Sequence, residues 1–133
     1  MFANANSLIP DTPPLSDQSI RKLVKFSNDH GTEFGITLLL NSGVVSGTVI
    51  SANAYFEQLI KDLELSLEQS PPLAEVLHSM LPNNSGDNLP NFIHLKDAKI
   101  YLGERTIPNG AGVLWRGRIS QVSGFTMGRL VNS

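Results

Sequence analysis

One pair of segments constrains this chain more than any other. Phe34, Ile36, Leu38 and Leu40 alternate with other residues, and Val44–Ser51 continues in the same style after Asn41-Ser42-Gly43. A period of two places one set of side chains on a single face of a strand. The polar break supplies the positive-φ residues that a tight hairpin uses. The pair therefore predicts an antiparallel hairpin with one buried face. Gly47, in the middle of its second strand, marks a bend or a close approach of another backbone.

The rest of the chain arranges itself around that hairpin. Residues 1–16 carry Pro10, Pro13 and Pro14 with no periodicity and read as a mobile tail, leaving 17–133 as a single domain. Ser16 is placed to cap a short helix whose stripe is Ile20, Leu23 and Val24, and Gly31 is placed to end it. Phe56, Leu59, Ile60, Leu63 and Leu67 form a second stripe at helical spacing, with Glu57, Lys61, Glu64 and Glu68 opposite and Glu57 set to pair with Lys61. Ser70-Pro71-Pro72 stops it, and Leu73, Val76, Leu77 and Met80 repeat the stripe in a shorter helix. Pro82–Pro90 reads as a flexible loop. Strand character returns at Asn91, where Ile93 and Leu95 share one phase and Ala98, Ile100 and Leu102 the other. The switch at Lys96-Asp97 predicts a β-bulge. Gly103–Gly112 reads as a loop, Val113–Ile119 as a strand, and Gln121–Leu130 as a last strand.

Composition narrows the chemistry. The absence of cysteine excludes thiolate catalysis, disulfides and Cys-ligated metal. No apolar run is long enough to span a membrane, and the N-terminus does not read as a secretory signal, so a cytoplasmic protein is expected. The net charge of −2 does not suggest a dedicated polyanion binder. Its distribution is uneven, however. Residues 57–87 carry six acids against Lys61 alone, while residues 89–133 carry six bases against Asp97 and Glu104. Such halves can attract each other between copies.

No catalytic constellation emerges. Gly43-Val44-Val45-Ser46-Gly47 has its serine one place late for a nucleophile elbow, with no helix directly after it. Gly110-Ala111-Gly112 is too short to cradle a phosphate. His30, His78 and His94 lack metal-ligand spacing and read as surface or partly packed imidazoles. We expect neither an enzyme, nor a cofactor, nor a metal. Trp115-Arg116-Gly117-Arg118 is the most suggestive cluster, since arginine beside an exposed aromatic can stack a base or grip a phosphate. Alternation instead groups Trp115 with Val113 and Ile119 in the core and turns Arg116 and Arg118 outward.

Three blocks in order, GVVSGTVISANAYFEQL (43–59), NFIHLKDAKIYLG (91–103) and LWRGRISQVSGFTMGRL (114–130), closely resemble the gas vesicle accessory protein GvpU family. The resemblance implies a non-enzymatic accessory role, including clustering of finished vesicles, with the vesicle shell proteins as partners. A second similarity, carried by VSGTVIS, IHLKDAKIY and WRGRI, is to the barrels of Sm and Hfq proteins. In that family the counterparts of Arg116-Gly117 help form an RNA pocket between subunits of a ring. Ala52-Asn53-Ala54-Tyr55 stands where the family carries an acid and an asparagine, which argues against RNA here.

The expected architecture is α+β: a small, strongly bent antiparallel β-barrel of Sm-like type. It has an N-terminal helix and a helical insertion between strands two and three. The expected function is self-association and contact with gas vesicles; an Sm-like RNA-binding protein is the alternative. Trp115, Arg116, Arg118, Phe125 and Met127 are the candidate interaction residues. Phe125 and Met127 are exposed if Val122 and Leu130 face the core, and are core themselves in the opposite phase.

Overall fold

The computed structural model describes residues 15–81 and 88–130. Most of the expected tail, most of the Pro82–Pro90 loop and the last residues of the chain lie outside that range. Helix α1 (Leu15–His30) begins one residue before Ser16, which lies inside it rather than capping it. It ends where Gly31 takes φ 71° and its N–H donates to the Ser27 carbonyl at 2.7 Å. Strands β1 (Phe34–Leu40) and β2 (Gly43–Ile50) form the expected hairpin.

The turn of that hairpin works differently from expectation. None of Asn41, Ser42 and Gly43 adopts positive φ. Gly43 instead begins β2, where an added Cβ would lie 2.8 Å from the Tyr101 carbonyl oxygen on the neighbouring strand. Its role is close approach between strands rather than a left-handed turn.

Between β2 and the next strand lie α2 (Ala52–Asp62), α3 (Glu64–Gln69) and α4 (Pro71–Ser79). The stripe from Phe56 to Leu67 is thus broken at Leu63 into two helices. Ser51 caps α2, its side chain accepting from the Ala54 N–H at 3.0 Å. Asn28 Oδ1 accepts from the Ala52 N–H at 2.9 Å, tying α2 to the end of α1. Gln58 and Asp62 hydrogen-bond along α2 at 2.7 Å, whereas Glu57 and Lys61 form no ion pair among the described residues.

The chain then forms β3 (Phe92–Leu102), β4 (Arg105–Ile107) and β5 (Val113–Arg118). One turn of 3₁₀ helix (Ile119–Gln121) leads into β6 (Val122–Met127). The stretch read as the loop Gly103–Gly112 therefore contains a short strand, formed because Gly103 at φ 61° lets β4 fold back on the end of β3.

All strands belong to one antiparallel sheet, ordered β4-β3-β2-β1-β6, with β5 also paired to β3. The α+β class expected from the sequence is present, and among the described residues the sheet does not close on itself. β5 is held on β3 and β6 on β1, and among the described residues these two strands share no ladder. Helix α1 lays Ile20 and Val24 on one face, against Ile36, Leu38, Val49, Leu95 and Ile119 among others.

The predicted bulge is present, and several parts of the fold converge on it. Between Ser46 and Thr48 the partner on β3 shifts from Lys99 to Lys96, so β3 carries one extra residue. The same extra residue appears against β5, where Leu95 opposes Trp115 and Ala98 opposes Val113. Asp97 absorbs the mismatch at φ 52°, a region few non-glycine residues occupy. Gly47 and Gly112 let the backbones close in: an added Cβ would lie 3.0 Å from Ala98 Cα at the first and 2.3 Å from the Asp97 carbonyl carbon at the second.

Beyond the bulge the chain's end completes the outer face of the sheet. Gly128, at φ 100°, turns residues 128–130 across β1 and β2. The Leu130 N–H donates to Ser46 Oγ at 2.8 Å, and Thr37 Oγ1 donates to the Gly128 carbonyl at 2.8 Å. Thr37 and Ser46 lie 3.1 Å apart and are each only 3% exposed, so this pair of hydroxyls is fully satisfied within the fold. Arg129 reaches the Asp97 carbonyl at 3.2 Å, joining the chain's end to the bulge.

The crowding at Gly112 yields a direct prediction. Backbone cannot retreat as a flexible side chain can, so Gly112→Ala should lower the unfolding free energy by about 1–3 kcal/mol or more. Gly110→Ala, where an added Cβ meets nothing within 4 Å, should stay within about 0.5 kcal/mol of wild type in the same urea titration.

Candidate functional site

The register between β3 and β5 assembles a cluster that the sequence pattern does not announce. Phe92 lies opposite Arg118 and His94 opposite Arg116, on the face turned away from Ile93 and Leu95. The Arg116 guanidinium carbon sits 3.7 Å from the centroid of the Phe92 ring, and that of Arg118 lies 5.4 Å from it. The positive charge is attracted by the electron-rich ring face. Arg116 Nε donates to His94 Nε2 at 3.1 Å, so the neutral imidazole carries its proton on Nδ1. The planar group is thereby fixed by stacking and by one hydrogen bond. The remaining Arg116 nitrogens make no hydrogen bond to the described residues.

Helix α2 covers the other side of the histidine. The Tyr55 and Phe56 rings lie 4.7 and 5.7 Å from the His94 ring, which is 4% exposed. Burial, reinforced by the charge of Arg116, lowers the His94 pKa from 6.5 to about 4. Burial raises the Tyr55 pKa, partly offset by the same arginine. His94 Nδ1 has no hydrogen-bond partner, a desolvation cost offset by the packing around it. His94 is thus a buried packing histidine and not the surface or partly packed imidazole expected from sequence.

The five sequence-predicted residues divide between two faces. Arg116 and Arg118 are brought together, exposed, over Phe92. Trp115 points the other way, packed against the core as the alternation predicts, but only half-buried. The far edge of its indole lies against Gly117, where an added Cβ would meet the ring at 2.2 Å, and among the described residues no strand pairs with the outer edge of β5.

On β6, Phe125 packs against the core, while Met127 is 54% exposed. Both lie opposite core residues of β1, Leu38 and Ile36. Val122 is nevertheless buried and Leu130 is 48% exposed. The bulge between Leu39 and Leu40 resolves this, because Ser123 is the extra residue that switches the phase of β6. The reading that sent Phe125 outward is therefore corrected.

Sequence reasoning missed Phe92, His94 and Tyr55 as members of the cluster. The available signal was that Phe92 and His94 occupy the phase opposite Ile93 and Leu95. Only the strand register could then place the arginines on them.

The family model for the gas vesicle protein GvpU-like family matches residues 17–130, nearly the whole chain. The chain belongs to the GvpU-like gas vesicle protein family. This agrees with the resemblance carried by its three sequence blocks. Comparisons with curated proteins and with solved structures gave no match. No helix among the described residues is long and apolar enough to cross a membrane. The family is not a known enzyme family. In this member of the GvpU-like family, the segment Ala52–Tyr55 opens helix α2 and Lys96 is held by Glu33 at 2.7 Å. No observation supports the Sm-like RNA-binding alternative.

The buried histidine makes stability depend on pH with a definite sign. The fold favours neutral His94, so the unfolded chain takes up a proton first as pH falls. Its contribution is intact above pH 6.5 and is lost down to about pH 4. At about 1.4 kcal/mol per pKa unit the loss amounts to about 3 kcal/mol. Urea titrations from pH 7 to pH 4 should show this decline, and His94→Gln should flatten it.

Proposed function

We propose that this chain is a non-enzymatic accessory protein that self-associates and links gas vesicles into clusters from the cytoplasmic side. Family membership supplies the vesicle context. The observation that carries the rest is the unfinished surface at the end of β6. That strand pairs only with β1, leaving its other edge without a partner strand among the described residues. Met127 stands at the end of that strand, 54% exposed, and Leu130, 48% exposed, adds a second apolar side chain where residues 128–130 turn across β1 and β2. A free strand edge with neighbouring apolar side chains is suited to strand addition or to an apolar patch on a protein shell. Each such contact is small. An assembly presenting many copies multiplies it into stable attachment, which makes self-association part of the function. The bent Sm-like barrel belongs to this reading, since a sheet left open between β5 and β6 offers edges that neighbouring copies can fill.

Two measurements test it. Light scattering at micromolar concentration should give a mass above the 14.4 kDa of one chain; that mass throughout would contradict self-association. Met127→Ser combined with Leu130→Ser should leave circular dichroism unchanged and abolish clustering of purified vesicles. Phe125 is left intact because it packs on the core. Clustering that persists in the double variant would move the vesicle contact elsewhere.

A further inference from the structure

The charges of this molecule are separated and, for the most part, unanswered within it. Among the described residues the ion pairs are Lys25–Asp29 and Lys96–Glu33. The carboxylates of the helical insertion take part in neither, and nor do Arg116 and Arg118. The carboxylates also have a definite setting. Helices α2, α3 and α4 enclose an open groove with Ile60, Leu67 and Ala74 in its lining and Glu57, Glu64 and Glu68 beside them. Lys61 and His78 are the basic side chains there.

We propose that this acid-rimmed groove receives the Arg116–Arg118 face of a second copy of the chain. The proposal rests on the self-association reading above and names the surfaces that carry it. The match is one of charge and of chemistry. The groove offers three carboxylates against one amine, and the β5 face offers two guanidinium groups beside Phe92. Arg116 is already oriented by the Phe92 ring and by His94, so little side-chain freedom is lost when it meets a carboxylate. Its terminal nitrogens suit paired hydrogen bonds to a carboxylate. The apolar residues of the groove accept the arginine stems and the edge of Phe92.

Groove and arginine face are different surfaces of the same chain. Their contact is therefore heterologous: each copy uses its groove on one neighbour and its arginines on the other. Such contacts build rings or open chains rather than closed dimers. This is the multivalent form that vesicle attachment requires. It also predicts that assembly weakens with added salt, because the contact lies at the surface.

Sedimentation velocity on the full chain tests it. Arg116→Glu with Arg118→Glu reverses one surface, and Glu64→Arg with Glu68→Arg reverses the other. Each variant alone should lose at least about tenfold in association, and an equimolar mixture should regain it because the reversed surfaces complement each other. Arg118→Glu alone leaves the Arg116–His94 bond in place and should show a smaller loss; it serves if the double variant fails to fold by circular dichroism. Variants that assemble like wild type, or a mixture that stays dissociated, would overturn the groove contact while leaving self-association standing. Wild type that is monomeric at every concentration would overturn both. Assembly abolished by nuclease treatment would overturn the proposal in favour of nucleic acid at the arginine face.

Discussion

The extra residue at Asp97 is the constraint on which the rest of this structure depends. A strand of eleven residues cannot keep one partner pattern along its whole length when its own register slips by one. Asp97 takes up the slip in a left-handed conformation; Gly112 removes the Cβ that would collide with it, and Gly47 the one that would crowd its neighbours Lys96 and Ala98. Phe92–Leu95 before the bulge and Ala98 just after it pair with β5, and Ile100–Leu102 pair with β4. The first half of β3 can then carry Phe92 and His94 outward under α2 and the arginines of β5. The second half brings Ala98 and Ile100 back to the core side. Arg129 ties the chain's end to the same point.

From that frame two unlike surfaces arise. One is the cation face of β5, with Arg116 fixed between an aromatic ring and a neutral imidazole. The other is the acidic helical insertion, whose apolar stripe is only partly used: Phe56 and Leu77 are buried, but Leu73, Val76 and Met80 remain exposed. Within a single chain neither surface satisfies the other. Segregated charge of this kind adds little to the stability of one molecule, since exposed ion pairs contribute only about 0–1 kcal/mol. It acts instead on which molecules meet and in what orientation.

Much of the fold was legible in the residues. The hairpin of β1 and β2, Gly31 as a helix end, the insertion after the second strand and the bulge at Lys96-Asp97 all follow from periodicity and glycine placement. The errors share one cause. Periodicity describes a segment against itself, whereas register is decided between segments. It could not show that Gly43 is needed for approach to Tyr101 rather than for a turn. Nor could it show that a bulge at Ser123 reverses the phase of Phe125. The site suffered most, because Arg116 meets Phe92 and His94 only through the pairing of β5 with β3.

Whether copies of this chain meet groove to arginine face can be read from a single spin label, since the chain has no cysteine of its own. A nitroxide attached at Gln69→Cys, an exposed position at the end of α3, would be placed on unlabelled chains mixed with ¹⁵N-labelled wild-type chains. The account predicts selective broadening of the amide signals of residues 116–118 in the labelled copies, relieved by salt. Broadening confined to the helical insertion itself, or to the β6 edge, would contradict it.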